Sequence, residues 1–527
     1  MTVVVSTHAA DHDLIDNHAA RWRASNIVQR LWRKDPTVWA DPPVGEIANR
    51  LGWLDAPFES ANLTAPIAQL AAQAVSDNIS NIVLIGMGGS SLAPEVLANT
   101  LDTATSPPRL VVIDSTHPLA IENVATTTDP DSTWYLIASK SGGTVETLSL
   151  FRFFWRHVSA ALDNPGRHFI AITDKNSGLA SLAAERGFRE IFLANPDVGG
   201  RYSALTAFGL VPTGLTGGDL GKLLAAAQRG AGACGPDVRL EENPGFTLGV
   251  VMAGHALKGT DKTQFLATGP TRTIGVWIEQ LIAESTGKNG VGIVPIDGGS
   301  LLPGSSHATI VTIGSDGNTT SDVAITIDDP HDIAELMFIF EFATAVAGEI
   351  LDVNPFDQPD VESAKNLTRV AMEAGTPAGS TTSAEIGNRD WVGGIDSRAE
   401  AGTISYIAVQ AYLHDSEPNR ILLTELADAL SERLGVYVTL GIGPRFLHST
   451  GQLHKGGPPG GVYLQITDDT GEGLAIPESD YSFNELIAAQ SIGDRTALEL
   501  ADRTVVTVAL GSDSAGGLLL MIEQVER

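Results

Sequence analysis

Gly86-Met87-Gly88-Gly89-Ser90 follows the apolar, β-branched run Ile82 to Ile85, and Ser139-Lys140-Ser141-Gly142-Gly143-Thr144 follows a second such run, Trp134 to Ala138. Each loop closes a strand-like run and opens a helix-like segment, which places both at the carboxyl end of a parallel sheet, where such sheets bind ligands. Glycines, Gly89 among them, let an anion approach the backbone, and helix amides supply donors. The hydroxyls of Ser90, Ser139, Ser141 and Thr144, with the ammonium of Lys140, complete a phosphate cradle. The pair of loops therefore predicts a phosphate ester as ligand. The first loop is no Walker A, because no Gly-Lys-Ser/Thr follows at the required spacing, and its glycine spacing departs from a dinucleotide fingerprint.

Working outward, the runs Asn81–Leu84, Leu110–Ile113, Trp134–Ala138, His168–Thr173 and Glu190–Leu193 alternate with helical segments, the pattern of a doubly wound parallel sheet. The last run leads to Asp197-Val198-Gly199-Gly200-Arg201-Tyr202-Ser203, where two glycines deliver an arginine into a loop. Upstream, residues 8 to 55 read as helical, with Trp22, Trp32, Trp39 and Trp53 forming a packing layer. Beyond an Ala- and Gly-rich boundary, a second alternating region includes a helix at Thr273–Ser285 with Glu284 in its last turn. Three short strands (Gly292–Ile296, Ala308–Ile313, Asp322–Ile327) then precede an apolar helix, Asp332–Leu351, that reads as buried core. Pro355 suits a helix start, which would set Gln358 and Lys365 two turns apart on one face, about 10 Å along the axis. The stretch Ala374–Asp396 reads as a linker, and alternating runs from Ile404 onward form a third α/β unit. The domains this predicts are an N-terminal helical segment (1–60), two sheet domains (61–230 and 240–375) and a C-terminal α/β unit (400–527).

At 527 residues the chain exceeds what one core sustains. Its formal net charge of -30 argues against nucleic acid and anionic membranes as partners, and obliges an anion site to concentrate its own positive charge. No stretch resembles a signal peptide or a membrane span, and a single cysteine, Cys234, fits a reducing compartment, so the expectation is a cytoplasmic protein. The twelve histidines are scattered, without zinc-ligand spacing, and no metal is expected.

Read together, Gly86-Met87-Gly88-Gly89-Ser90-Ser91-Leu92, Ser139-Lys140-Ser141, Asp197 to Ser203, Glu284-Ser285-Thr286-Gly287-Lys288 and Phe356-Asp357-Gln358-x-x-Val361-Glu362-x-x-Lys365 resemble, in order, the blocks of the glucose-6-phosphate isomerase family. The resemblance covers roughly residues 20 to 375. The C-terminal part, with Leu447-His448-Ser449-Thr450-Gly451-Gln452-Leu453-His454-Lys455, resembles the isomerase half of bacterial transaldolase/isomerase fusions.

The resemblance implies two doubly wound sugar-isomerase (SIS) domains plus the C-terminal α/β unit, and interconversion of glucose 6-phosphate and fructose 6-phosphate through a cis-enediol without cofactor or metal. It gives Glu284 the proton transfer between C2 and C1, Arg201 the stabilisation of the enediolate, and Lys365 a part in ring opening. Gly89, Ser90, Ser139, Lys140, Ser141, Thr144 and Gln358 become substrate-binding residues. A homodimer is implied, since the family's site borrows residues across subunits. Ring opening also needs a histidine. None stands in the family's Leu-His-Ser-x-Gly-Gln segment after the base, but Leu447-His448-Ser449-Thr450-Gly451-Gln452 has that pattern, which makes His448 the candidate and His454 and His307 lesser ones. Gly143, Ala93 and Asp360 depart from the family pattern, so mannose 6-phosphate or a sulfonated sugar stays within range as substrate. A non-catalytic sugar-phosphate sensor is the alternative from another class; it has no need of Glu284, Arg201 and Lys365 together.

Overall fold

The computed structural model describes residues 3–40, 45–101, 108–302, 308–314, 321–361, 367–369, 372, 384–385, 389–471 and 473–527. The chain begins with a strand, β1 (Val4–Thr7), and continues through five strands that form one parallel sheet: β2 (Asn81–Gly86), β3 (Arg109–Ile113), β4 (Thr133–Ala138), β5 (Phe169–Asp174) and β6 (Glu190–Ala194). Their order, β3-β2-β4-β5-β6, reverses direction between β2 and β4. The loops after these two strands are the two glycine-rich loops, and the pairing of Gly86 with Ala138 starts them side by side. This is the crevice where a doubly wound sheet binds its ligand.

The second sheet contains β7 (Lys262–Ala267), β8 (Val294–Asp297), β9 (Ala308–Ile313) and β10 (Val323–Thr326), in the order β1-β10-β9-β7-β8. Its edge is β1, which runs antiparallel to β10 with Val4 opposite Thr326. The N-terminal Val3-Val4-Val5 run, too short to carry meaning in the sequence, is thus a sheet edge far along the chain. Beneath lies the helix Ile333–Ile350, in which every residue but Glu349 is buried. The N-terminal helical segment consists of two helices, His12–Ala24 and Ile27–Trp32, followed by short 3-10 turns. Left-handed Asn26 and Lys34, and Pro36 behind them, break it. The tryptophans do form the packing layer: Trp22 Nε1 donates to Glu349 Oε2 at 2.9 Å, Trp32 Nε1 to the Cys234 carbonyl at 2.9 Å and Trp39 Nε1 to the Ala345 carbonyl at 3.0 Å.

The third unit is a parallel sheet of β11 (Ala384–Glu385), β12 (Tyr406–Tyr412), β13 (Tyr437–Ile442), β14 (Gly461–Thr467) and β15 (Thr504–Ala509), ordered β11-β15-β14-β12-β13. The stretch read as a linker ends inside a helix, Asp390–Glu400, whose Trp391, Val392 and Ile395 enter the core of this unit. The rest of it, apart from 384–385 and 389, lies outside the described residues.

The three sheets converge on two adjacent glycines. Gly88 adopts φ of 56°, a left-handed conformation that disfavours any side chain. A Cβ there would lie 2.7 Å from Gln280 Nε2, from the second domain, and 2.7 Å from the His448 carbonyl oxygen, from the C-terminal unit. At Gly89 a Cβ would overlap the carbonyl oxygen of Gly200, in the arginine-bearing loop. At Gly89 backbone meets backbone, so neither side can yield by rotating a side chain. Gly89→Ala is expected to cost about 2–3 kcal/mol in chemical denaturation and to lower turnover. Gly143→Ala, where the nearest atom is Ser141 Oγ at 3.9 Å, is expected to stay within about 0.5 kcal/mol of wild type.

Candidate active site

Arg201 sits on a short 3-10 turn, Gly200–Tyr202, and is 3% exposed. Its nitrogens are all engaged: Nε donates to Ser285 Oγ at 2.9 Å, Nη2 to the Pro355 and Asp357 carbonyls at 2.9 Å each, and Nη1 to Gln358 Oε1 at 2.9 Å. Nη1 also lies 2.9 Å from Glu284 Oε1, whose side chain is 15% exposed. The sequence placed Glu284, Arg201 and Gln358 on three separate segments, and the fold brings them into one contact. Glu284 ends the helix Gly275–Thr286, and Gln280 precedes it by one turn on the same face. Gln280 Nε2 donates to Glu284 Oε2 at 3.2 Å and to the His448 carbonyl at 2.8 Å. Gln280 went unnamed in the sequence reading, although an i–4 neighbour of a candidate base is where an orienting side chain would stand.

The Ser139–Thr144 loop precedes a 17-residue helix, Val145–Ala161, whose amides face it. Thr144 stands at the N-cap position, but its hydroxyl is not spent on capping: it bonds Ser139 Oγ at 3.1 Å, which also accepts from the Gly142 amide at 3.2 Å. Ser141 is exposed, with its Oγ accepting from the Gly143 amide at 3.3 Å, and Ser90 is half-buried just ahead of the helix Leu92–Thr100. The ammonium of Lys140 bonds Asp174 Oδ2 at 2.7 Å and the Pro196 carbonyl at 3.2 Å, which braces the loop against β5 and β6. Burial pulls its pKa down, and Asp174 opposes this.

The segment carrying His448 is fastened to both neighbouring domains. Arg445 pairs with Glu95 and, at 3.4 Å, with Asp114, both from the first domain. Gln452 donates to the Gly287 carbonyl at 3.0 Å, in the second. His448 Nε2 lies 2.9 Å from Glu146 Oε1, in the first turn of Val145–Ala161. The histidine therefore reaches the crevice from this chain's own C-terminal unit. His454 is different: it is buried among Phe446 and Tyr463, bonds Gln410 Nε2 through Nδ1 at 3.0 Å, and burial drives its pKa well below the ordinary value. It is a core residue. Lys365 and His307 lie outside the described residues. Among the described residues, no three His, Cys, Asp or Glu side chains are grouped to hold a metal ion, and no helix is long and apolar enough to cross a membrane.

Residues 70–233 match the family model described as phosphoglucose isomerase. The chain is 26% identical over 415 residues to a glucose-6-phosphate isomerase of Rubrobacter xylanophilus, covering 66% of this chain and 93% of the relative. It is 28% identical over 386 residues to that of Thermus thermophilus, covering 62% and 91%. Among solved structures, a glucose-6-phosphate isomerase from Chlamydia trachomatis superposes with a TM-score of 0.61 at 17% identity, over 72% of this chain and 89% of that one. A hypothetical protein of Thermus thermophilus superposes with a TM-score of 0.60 at 24% identity, over 70% and 100%. By fold this is an α/β protein, and its sequence is similar to those of glucose-6-phosphate isomerases.

One further buried charge, Lys288, lies behind Arg201. Lys288, 3% exposed, pairs with Asp357 Oδ1 at 2.9 Å and donates to the Asn354 carbonyl, holding the loop whose carbonyls clamp Arg201. Burial, then the nearby Arg201 charge, pull its pKa down to about 8, against the raising effect of Asp357. Only the protonated ammonium holds Asp357 as an ion pair, so the loop loosens as pH rises through that value. Activity is expected to fall on the alkaline side with a midpoint near pH 8. In Lys288→Arg, which stays charged, a kcat/KM pH profile should lack this limb.

Proposed function

We propose that this protein interconverts glucose 6-phosphate and fructose 6-phosphate, with Glu284 as the base that carries a proton between C2 and C1. The observation that carries the reading is the contact of Glu284 with Arg201 at the Gly88–Gly89 junction, beside two hydroxyl-bearing loops on the same sheet edge. The family match supports the choice of sugar.

The chemistry follows from the parts. A phosphate held by Ser90, Ser139, Ser141, Thr144 and the amides at the start of Val145–Ala161 anchors C6, which leaves the opposite end of the open chain against Glu284. Removal of the C2 proton builds negative charge on the oxygens of C1 and C2. Arg201 is already fixed by Ser285, Pro355 and Asp357, so it meets that charge without reorganising. Return of the proton to C1, with the hydroxyl proton of O2 passing to O1, completes the isomerisation, and microscopic reversibility gives the same carboxylate both carbon-proton tasks. His448 is the candidate for moving protons at O5 and O1 during ring opening, and Lys365 remains a candidate by resemblance. A sugar phosphate as substrate fits a cytoplasmic protein.

Incubation of the protein with glucose 6-phosphate in deuterated water should yield fructose 6-phosphate carrying solvent deuterium at C1, read by NMR. Glu284→Gln should lower kcat about 100-fold or more with a smaller change in KM, and Arg201→Lys should lower it by a similar order. No product from either glucose 6-phosphate or mannose 6-phosphate would count against the reading and favour a sensor.

A further inference from the structure

Glu146, which holds His448, is itself held from the far end of the chain. The helix Phe483–Leu500 of the C-terminal unit carries Gln490, 2% exposed, whose Nε2 donates to Glu146 Oε1 at 2.7 Å. Its Oε1 accepts from the Thr116 hydroxyl at 2.8 Å, and Thr116 is fully buried in the turn after β3. The two bonds fix the amide's direction: rotated by half a turn, Gln490 would set its carbonyl oxygen against a carboxylate. One oxygen of Glu146 thus receives the amide of Gln490 and faces Nε2 of His448 at 2.9 Å, as a carboxylate oxygen with two lone pairs can. An amide N–H directed at that oxygen favours the ionised carboxylate, and an ionised carboxylate at Nε2 favours the histidine tautomer with its proton on Nε2. That tautomer leaves Nδ1 as an acceptor.

We propose that Gln490, oriented by Thr116, is a positioning residue that fixes the tautomer and setting of His448 through Glu146, so that the C-terminal unit supplies both the histidine and the brace for its partner. This rests on the reading of His448 as the ring-opening group. The residue touches neither substrate nor reacting atoms. Its effect should appear in ring opening and not in proton transfer between carbons.

The test separates these steps. In a Glu284→Gln background, where isomerisation is blocked, NMR exchange between the anomers of glucose 6-phosphate reads enzyme-dependent ring opening alone. Adding Gln490→Leu should slow that exchange on the order of 10-fold with little change in saturation by the sugar. Thr116→Val, which keeps the side-chain volume and removes only the hydroxyl, should slow it in the same direction by less, and covers the case that Gln490→Leu fails to fold. In 15N-histidine-labelled protein without ligand, the His448 ring nitrogens should report one dominant tautomer, protonated at Nε2, and a mixture in either variant. Unchanged exchange together with an unchanged tautomer signal in the folded variants would overturn the proposal. A wild-type protein that does not isomerise glucose 6-phosphate would instead defeat the functional reading, and the tautomer signal would then decide the role of Gln490 by itself.

Discussion

The site depends on two residues having no side chains. At Gly88 and Gly89 the crevice of the first sheet is crossed at close range by the helix bearing Gln280 and Glu284, by the Gly200–Arg201 turn and by the His448 segment. The convergence is steric before it is electrostatic. Close approach at these glycines brings together segments that carry a carboxylate, a guanidinium and an imidazole from three parts of the chain. The glycines that first suggested a phosphate loop therefore also serve as the joint between domains.

Once the segments are joined, charge is managed locally against an acidic molecule with a formal net charge of -30. Arg201 is tied down by carbonyls and a hydroxyl and meets the carboxylate of Glu284. Arg445 is matched by Glu95 and Asp114, and Lys140 by Asp174. On the function proposed, an arginine whose donors are already directed by backbone carbonyls would be preorganised for charge that develops on a substrate. Burial also pulls the pKa of Lys288 down, to about 8, which makes its charge sensitive to pH.

Much of this was legible in the chain. The two glycine-rich loops, the strand–helix alternation and the buried helix Ile333–Ile350 follow from local patterns of apolar residues, and the ordered motif blocks single out Glu284, Arg201 and Gln358 before any contact is seen. What escaped was non-local. Pairing of β1 with β10 joins residues 4–7 to 323–326, and no periodicity in either run announces the other. The turn of Lys140 toward Asp174 depends on how β4 and β5 are spaced, which sequence order does not convey. Gln490, an ordinary glutamine in an amphipathic helix, becomes distinctive only when Thr116 and Glu146 are seen on either side of its amide.

The central claim is spatial: the acid at 284 and the arginine at 201 address one end of a sugar chain whose other end lies in the two loops after β2 and β4. A crystal structure with a five-carbon aldonate 5-phosphate, whose carboxylate imitates the enediolate oxygens, measures this most directly. The account requires the carboxylate end within hydrogen-bond distance of Arg201 and beside Glu284, with the phosphate against Ser139, Ser141 and Thr144. A ligand lying in the opposite direction, or one bound away from this crevice while the protein remains active, would contradict it.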